Sequence, residues 1–444
     1  MGSKFSKIGF VLAVAGSAVG LGNAWKFPTL VGQNGGSAFV LLYLVLTLGV
    51  AFVIFLAELS IGKLSEKDPV NGYKTLAPTN KKTWSMAGFT MLGAILIVSF
   101  YSLVIGWVVK YMYFSATGNL SQTLEESEKQ FTNLLLNDFL SQFICFSLIF
   151  LIVFYVVSKG VKNGIERLNV WMMPTLFILL ILMLFYALSH TNGFSEALQF
   201  LFVPDFSKIS GTSILEALVL AFFSLSLGVG TIITYSASLP DKTNFITSTL
   251  NIILINILIG LMMGLIVFTF IFEFGANPNQ AGPGFIFISL TTLFAKLGIV
   301  GYILGATFFL SLIFAGITSA ISMIEPFAFY LINTFKMSRK NALILIGVIV
   351  YILGNLCILS TLSITEFKIL GMSFFDVLDY ISGKIIMPLG GILAAIFVGF
   401  VMKKKALEIL FEPYMSGVFF KVWYFFLRFI APLAVIIIVI NAFK

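Results

Sequence analysis

The sequence predicts an all-α integral membrane protein of about eleven transmembrane helices, built as a five-plus-five inverted repeat with one additional C-terminal helix. Three observations predict it. Of 444 residues, 59% are hydrophobic and 10% charged, against the roughly 25% charged of ordinary soluble chains. Apolar stretches near 20 residues recur along the whole chain, each able to cross a hydrocarbon core of about 30 Å. The first and sixth of these stretches are interrupted at mid-depth by Gly and Ser, and they open the two halves of the chain.

Windows of about 19 residues place the helices at 8–31, 38–62, 86–115, 139–158, 168–190, 213–238, 243–273, 298–334, 341–360, 376–402 and 418–441. Helices 1 to 5 make a first repeat over residues 1–190, helices 6 to 10 a second over 191–402, and residues 403–444 hold helix 11. An odd number of crossings puts the two ends on opposite sides. Lys63, Lys67, Lys74, Lys81 and Lys82 follow helix 2, and Lys159, Lys162 and Arg167 follow helix 4. Lys336, Arg339 and Lys340 follow helix 8, and Lys403 to Lys405 follow helix 10. All these loops fall on one side, whereas the loop after helix 3 carries Glu125, Glu126, Glu128 and Asp138 against Lys129. The positive-inside rule therefore expects a cytoplasmic N-terminus and Lys444 outside, in a bacterial cytoplasmic (inner) membrane. From Met1 the chain runs through Lys4 and Lys7 into apolar sequence without a cleavage site of secretory type, so the first segment is expected to remain as a helix.

The composition also excludes whole classes of function. A net charge of +8 is no nucleic-acid footprint here, because the basic residues lie in short clusters between apolar stretches. Cys145 and Cys357 sit inside apolar stretches and His190 is the single histidine, which leaves no disulfide framework or zinc motif. With no nucleotide loop, catalytic triad or metal cluster, an enzyme is not expected.

The interruptions are informative because polar residues are so few. Helix 1 holds Gly16-Ser17-Ala18-Val19-Gly20-Leu21-Gly22-Asn23 and helix 6 holds Ser224-Leu225-Ser226-Leu227-Gly228-Val229-Gly230. Small residues can simply let bilayer helices approach closely. Paired breaks at matching places in two halves point instead to unwound backbone that faces a binding site at the midplane. Free N–H groups at a half-helix start attract a carboxylate, and free carbonyls hold a cation.

At these residues the chain resembles the neurotransmitter:sodium symporter family, and within it a bacterial branch of eleven-helix amino-acid transporters. Residues 16–28, ending Ala24-Trp25-Lys26-Phe27-Pro28, are similar to the helix 1 signature, and residues 34–39 to the start of helix 2. The similarity continues through Glu58 with Gly62, Tyr101 with Trp107, residues 224–230 with Tyr235, Asn256, and residues 315–319. The resemblance implies sodium-coupled symport of a small, hydrophobic or aromatic amino acid by alternating access, with sodium ions as the coupling species. A non-transporting receptor or a channel on the same scaffold is the alternative.

The resemblance also implies the sites. A second sodium site would use carbonyls of Gly16, Val19 and Ala315 with hydroxyls of Thr318 and Ser319, neutral oxygens that suit a hard cation. A first site would use Ala18, Asn23, Ser224 and Asn256 together with the substrate carboxylate. Animal relatives bind chloride nearby through Tyr43, a Gln at 220 and a Ser at 260; this chain has Leu220 and Gly260, so a chloride requirement is not expected. Neither is there a side-chain carboxylate in its place. The substrate carboxylate would meet the Tyr101 hydroxyl and the N–H groups of Leu21 and Gly22. Its amino group would meet carbonyls of Ala18, Phe223 and Ser224 near Ser226, with Ser17 and Ser319 completing the pocket and Ile97, Phe223, Val229 and Met323 as apolar walls. Monoamine carriers place Asp where this chain has Gly20, so the substrate here should bring its own carboxylate. Lys26 and Asp379 would form the outer gate over Phe223. At the inner gate the family's N-terminal Arg has no counterpart upstream of Lys4 and its helix 8 Asp is Asn333, so that either Lys4 or Lys7 substitutes or the inner gate is weak. Glu58 and Glu325 are acids within apolar helices and therefore suspects for function, with structural glue to backbone N–H groups the equal alternative for Glu58.

Overall fold

A computed structural model describes residues 4–240, 243–278 and 285–442. Met1 and Lys444, on which the expectations for the chain ends rest, lie outside the described residues. Among the described residues nine helices are long and apolar enough to cross a bilayer. Helices 2 to 5 are Ser37–Ser65, Lys81–Ala116, Phe139–Ser158 and Val161–His190. Helices 7 to 11 are Phe245–Glu273, Gly298–Phe335, Arg339–Thr361, Phe374–Val401 and Gly417–Ile437. Helix 1 is a tenth span in two pieces, Lys7–Ala18 and Gly22–Gln33, bent by 52°. Helix 6 is likewise divided, into Gly211–Ser224 and Thr231–Ala237, neither piece long enough to cross alone. Lys81 and Lys82, expected in a loop, begin helix 3 instead.

Both breaks have local causes. The first piece of helix 1 ends at Val19, whose ψ of 103° leaves the helical region. The chain resumes in a π-helical turn, Gly22–Lys26, and Pro28 stands where that turn passes into the α-helix Phe27–Gln33. In helix 6, Ser226, Gly228 and Gly230 all take positive φ, at 53°, 82° and 76°. Gly adopts that region without Cβ strain, while Ser226 is held by its hydroxyl, which donates to the Ser17 carbonyl at 2.9 Å. A Cβ on Gly228 would lie 1.9 Å from the Met387 carbonyl oxygen, so the approach of helix 10 also demands glycine. The Gly228 N–H, freed by the break, donates to Glu58 Oε1 at 2.7 Å. Glu58 thus ties helix 2 to the unwound turn.

Helix 3 is 83% buried over its most apolar window and helix 4 only 28%, so helix 3 is a central element and helix 4 a peripheral one. Helix 3 packs along helix 8, and the first piece of helix 1 packs on helices 5, 7 and 8. Between the spans lie shorter helices that hydropathy windows average away, among them Pro69–Leu76, Leu124–Leu136, Gly193–Phe202 and Lys404–Phe411. They are amphipathic: Leu124–Leu136 buries Phe131 and Leu134 and starts with Glu125 and Glu126, the acid-rich first turn that a helix dipole favours. A short antiparallel hairpin, Lys368–Ile369 with Met372–Ser373, precedes helix 10.

Candidate functional site

The two breaks face a common cavity. Helix 1 contributes Ser17, Ala18, Gly20 and Gly22, helix 3 Ile97 and Tyr101, and helix 6 Phe223, Ser224, Ser226 and Val229. Ser319 and Met323 of helix 8 and Met387 of helix 10 close it. Every expected substrate residue except Leu21 lines this space; Leu21 lines the next cavity outward, with Trp25, Lys26, Phe100 and Asp379. Its backbone still reaches the site, because the Leu21 N–H donates to the Tyr101 hydroxyl at 2.7 Å. Met387 was not expected. The signal for it is the neighbouring Pro388, Gly390 and Gly391: a Cβ on Gly390 would lie 1.9 Å from the Gly228 carbonyl oxygen, the close approach that small residues permit.

Gly20 has a specific reason. A Cβ there would sit 2.5 Å from the Tyr101 hydroxyl and 2.7 Å from Ser319 Oγ, so a carboxylate side chain at this position would displace both. No charged residue lines the cavity. A ligand with two opposite charges must then be matched by hydroxyls, peptide dipoles and ions, and a charged side chain would be buried without a partner.

The hydroxyl of Ser319 lies 3.1 Å from each of three helix 1 carbonyls, those of Gly16, Ser17 and Val19. One hydroxyl proton cannot serve three acceptors, and a cation held by the same oxygens resolves the excess. Thr318 Oγ1, one residue earlier, is 3.0 Å from the Ala315 carbonyl and bonds back within its own helix, as hydroxyls in apolar helices do. Ser319 thus joins Gly16 and Val19 across helices 1 and 8, Thr318 and Ala315 pair within helix 8, and all five residues are buried.

The four expected residues of the first site also meet. Asn23 Nδ2 donates to the backbone carbonyl of Asn256 at 3.0 Å and faces its Oδ1 at 2.8 Å. In that orientation Asn256 Oδ1 sits 3.2 Å from the Ala18 carbonyl and 3.3 Å from the Ser224 carbonyl, three oxygens converging with no proton among them. Reversing the amide lets Nδ2 donate to both carbonyls while Oδ1 accepts from the Tyr43 and Ser224 hydroxyls, 3.3 and 3.2 Å away. Leu220 is buried and apolar, and the nearest group to a Cβ on Gly260 would be Asn23 Nδ2 at 3.6 Å.

Toward one end of the fold, Lys26 Nζ lies 3.5 Å from Asp379 Oδ1 and 3.9 Å from the centre of the Phe223 ring. The pair is part-exposed and adds little stability, and with the cation–π contact it lines the second cavity, which shares Phe223 and Tyr101 with the first. At the opposite end Lys4 pairs with Glu66 at the end of helix 2, 3.3 Å away. Asn333 donates to Asp68 at 3.3 Å. The Phe5 N–H donates to the Ser238 carbonyl at 3.2 Å, and its ring lies 5.4 Å from Tyr235. Ser6 donates its N–H and its hydroxyl to Glu166. Glu325, suspected of function, forms a two-pronged ion pair with Arg339, at 3.0 and 2.5 Å, beside a cavity that Lys4, Glu66 and Asp68 also line.

Comparison with known proteins gives one answer. The profile described as the sodium:neurotransmitter symporter family matches residues 3–134 and 136–444. The chain is 36% identical over 439 residues to an uncharacterised sodium-dependent transporter, YhdH, of Bacillus subtilis, covering 98% of this chain and 96% of that one. It is 34% identical over 446 residues to an uncharacterised sodium-dependent transporter of Haemophilus influenzae, covering 98% and 97%. Among solved structures, MhsT in complex with L-phenylalanine superposes over 99% of both chains, with a TM-score of 0.89 at 35% identity.

Proposed function

The chain belongs to the sodium:neurotransmitter symporter family, a family of sodium-coupled secondary transporters and not of enzymes, and from that premise we propose that it imports a hydrophobic or aromatic amino acid. The supporting observation is the cavity in which Tyr101 and the helix 1 break share the lining with Ile97, Val229, Met323 and Met387. A solved relative of similar fold holds L-phenylalanine, a side chain of the size that Val229 leaves room for.

In this reading the carboxylate of the substrate takes the Tyr101 hydroxyl and the N–H groups at the helix 1 break. Its charge also completes the first sodium site, where Ala18, Asn23, Ser224 and Asn256 supply only neutral groups. That makes sodium and substrate mutually dependent, because a cation left uncompensated in low dielectric would cost several kcal/mol. The second sodium joins helix 1 to helix 8 through Gly16, Val19, Ala315, Thr318 and Ser319. Lys26, Asp379 and Phe223 close the outer path, and Lys4 with Glu66 the inner. Chloride has no role. The basic loops face the cytoplasm of a bacterial cell, and the two repeats divide at residues 190 and 402.

Each sodium ion entering across 100 mV contributes about 2.3 kcal/mol, which supports accumulation of some tens of fold. Uptake of labelled amino acids into proteoliposomes, with an inward sodium gradient and with potassium in its place, tests the reading. Accumulation above the outside concentration that collapses with the gradient is expected. Binding without accumulation would make the protein a receptor on this scaffold, and flux that only equilibrates would make it a channel.

A further inference from the structure

Helix 5 holds a buried polar atom that neither the packing nor the cycle above uses. Asn169 is 0% exposed, and its Nδ2 donates to the Ile165 carbonyl one turn back at 2.8 Å. That bond fixes which end of the amide faces helix 1. It is Oδ1, and it finds no hydrogen-bond donor among the described residues. An acceptor left dry costs about 1–3 kcal/mol, and buried orphans of this kind call for a partner.

The place of the orphan identifies the partner. A Cβ on Gly16 would lie 1.9 Å from Asn169 Oδ1 and 3.1 Å from Thr318 Cβ, so the amide oxygen reaches this spot only because residue 16 is glycine. Gly16 and Thr318 both belong to the oxygen set between helices 1 and 8. Cβ directions tilt toward a helix N-terminus, whereas carbonyls point toward its C-terminus. Asn169 Oδ1 therefore lies on the Lys7 side of Gly16, and the carbonyl set on the other. The pattern repeats farther along. A Cβ on Gly9 would lie 2.2 Å from Glu166 Oε1, and Glu166 precedes Asn169 by three residues on the same face of helix 5. Helix 5 thus lines helix 1 with two side-chain oxygens that lead from the ion set toward the basic end of the fold.

We propose that Asn169 Oδ1 is a transit ligand for the coupling cation, the first oxygen that sodium meets as it leaves the helix 1 and helix 8 set. The inference rests on the sodium reading of that set. A neutral amide oxygen is suited to the task because it accepts a hard monovalent cation.

The test uses radioactive sodium as the probe, on purified full-length protein. Equilibrium binding and the rate of release into sodium-free buffer are measured for the parent, Asn169→Leu, Asn169→Ala and Asn169→Asp. Removing the oxygen should leave half-saturating sodium within about two-fold and slow release by about ten-fold, the rate equivalent of roughly 1.4 kcal/mol. Asn169→Asp, which keeps an oxygen in place, should release faster than either. Asn169→Leu should also melt higher, since an unsatisfied acceptor disappears, which separates slowed release from misfolding. Release at the parent rate in both the Leu and Ala variants overturns the proposal. So does an Asp variant as slow as they are, because the position would then be one of packing. Thr318→Val with Ser319→Ala is the reference: if it still binds sodium as the parent does, the reading of the set beneath fails, whatever Asn169 does.

Discussion

Val229→Phe is the most direct probe of the proposed selectivity. Val229 is buried at 1% exposure, and one of its methyl carbons lies 3.3 Å from where a Cβ on Gly93 would be. Helix 3 therefore blocks that side, and an added ring must enter the cavity. An aromatic substrate side chain buries about 150–250 Å² when fully enclosed. If the new ring displaces half of that, about 100 Å² at ~25 cal/mol per Å² is lost, roughly 2.5 kcal/mol, or about 60-fold in affinity. Alanine or glycine, which do not reach the floor, should lose almost nothing. The assay is competition of labelled uptake by unlabelled amino acids in parent and variant. A shift of preference from aromatic and leucine-sized substrates toward small ones is expected; an identical ranking in the two proteins would remove Val229 from the pocket and the size argument with it.

Three further outcomes follow from the same geometry. Thr318→Val with Ser319→Ala deletes both hydroxyl oxygens between helices 1 and 8 at nearly constant volume, so sodium-dependent substrate binding should disappear; a titration that matches the parent rejects the site. Tyr101→Phe leaves the Leu21 N–H, now 2.7 Å from the hydroxyl, without its acceptor and the substrate carboxylate without a donor. Affinity should fall by about 10- to 100-fold, equivalent to ~1.5–3 kcal/mol for a hydrogen bond to a charged group, which isothermal titration measures. Replacing chloride by gluconate at constant sodium should leave uptake unchanged, and a loss of more than about half would show an anion site formed without Leu220 and Gly260, since removing a bound countercharge is costly.

Much of the fold was legible because a bilayer imposes a simple rule on sequence. Apolar runs long enough to cross can be counted, and Gly and Ser clusters within them stand out against a uniform background. The short amphipathic helices between spans were not legible, since half of each is polar and no window of bilayer length finds them. The candidate site divides in the same way. Its residues in helices 1 and 6 announce themselves as breaks in a pattern, whereas Met387 and Asn169 are ordinary members of their helices and gain meaning only from what lies opposite.

The sequence alone thus determined that the chain spans a membrane and where it is unwound, and its resemblance supplied the residues proposed for the substrate and ion sets. Tertiary structure decided which partners those residues have. Lys4 meets Glu66 on helix 2, Glu325 meets Arg339, Glu58 holds the Gly228 N–H, and Asn169 Oδ1 faces helix 1 without a donor among the described residues. Hydropathy records the environment of a residue, lipid or water, one position at a time. The pairing of charges and oxygens depends on how helices far apart in sequence turn and approach one another, and that follows from packing side chains of particular sizes in three dimensions.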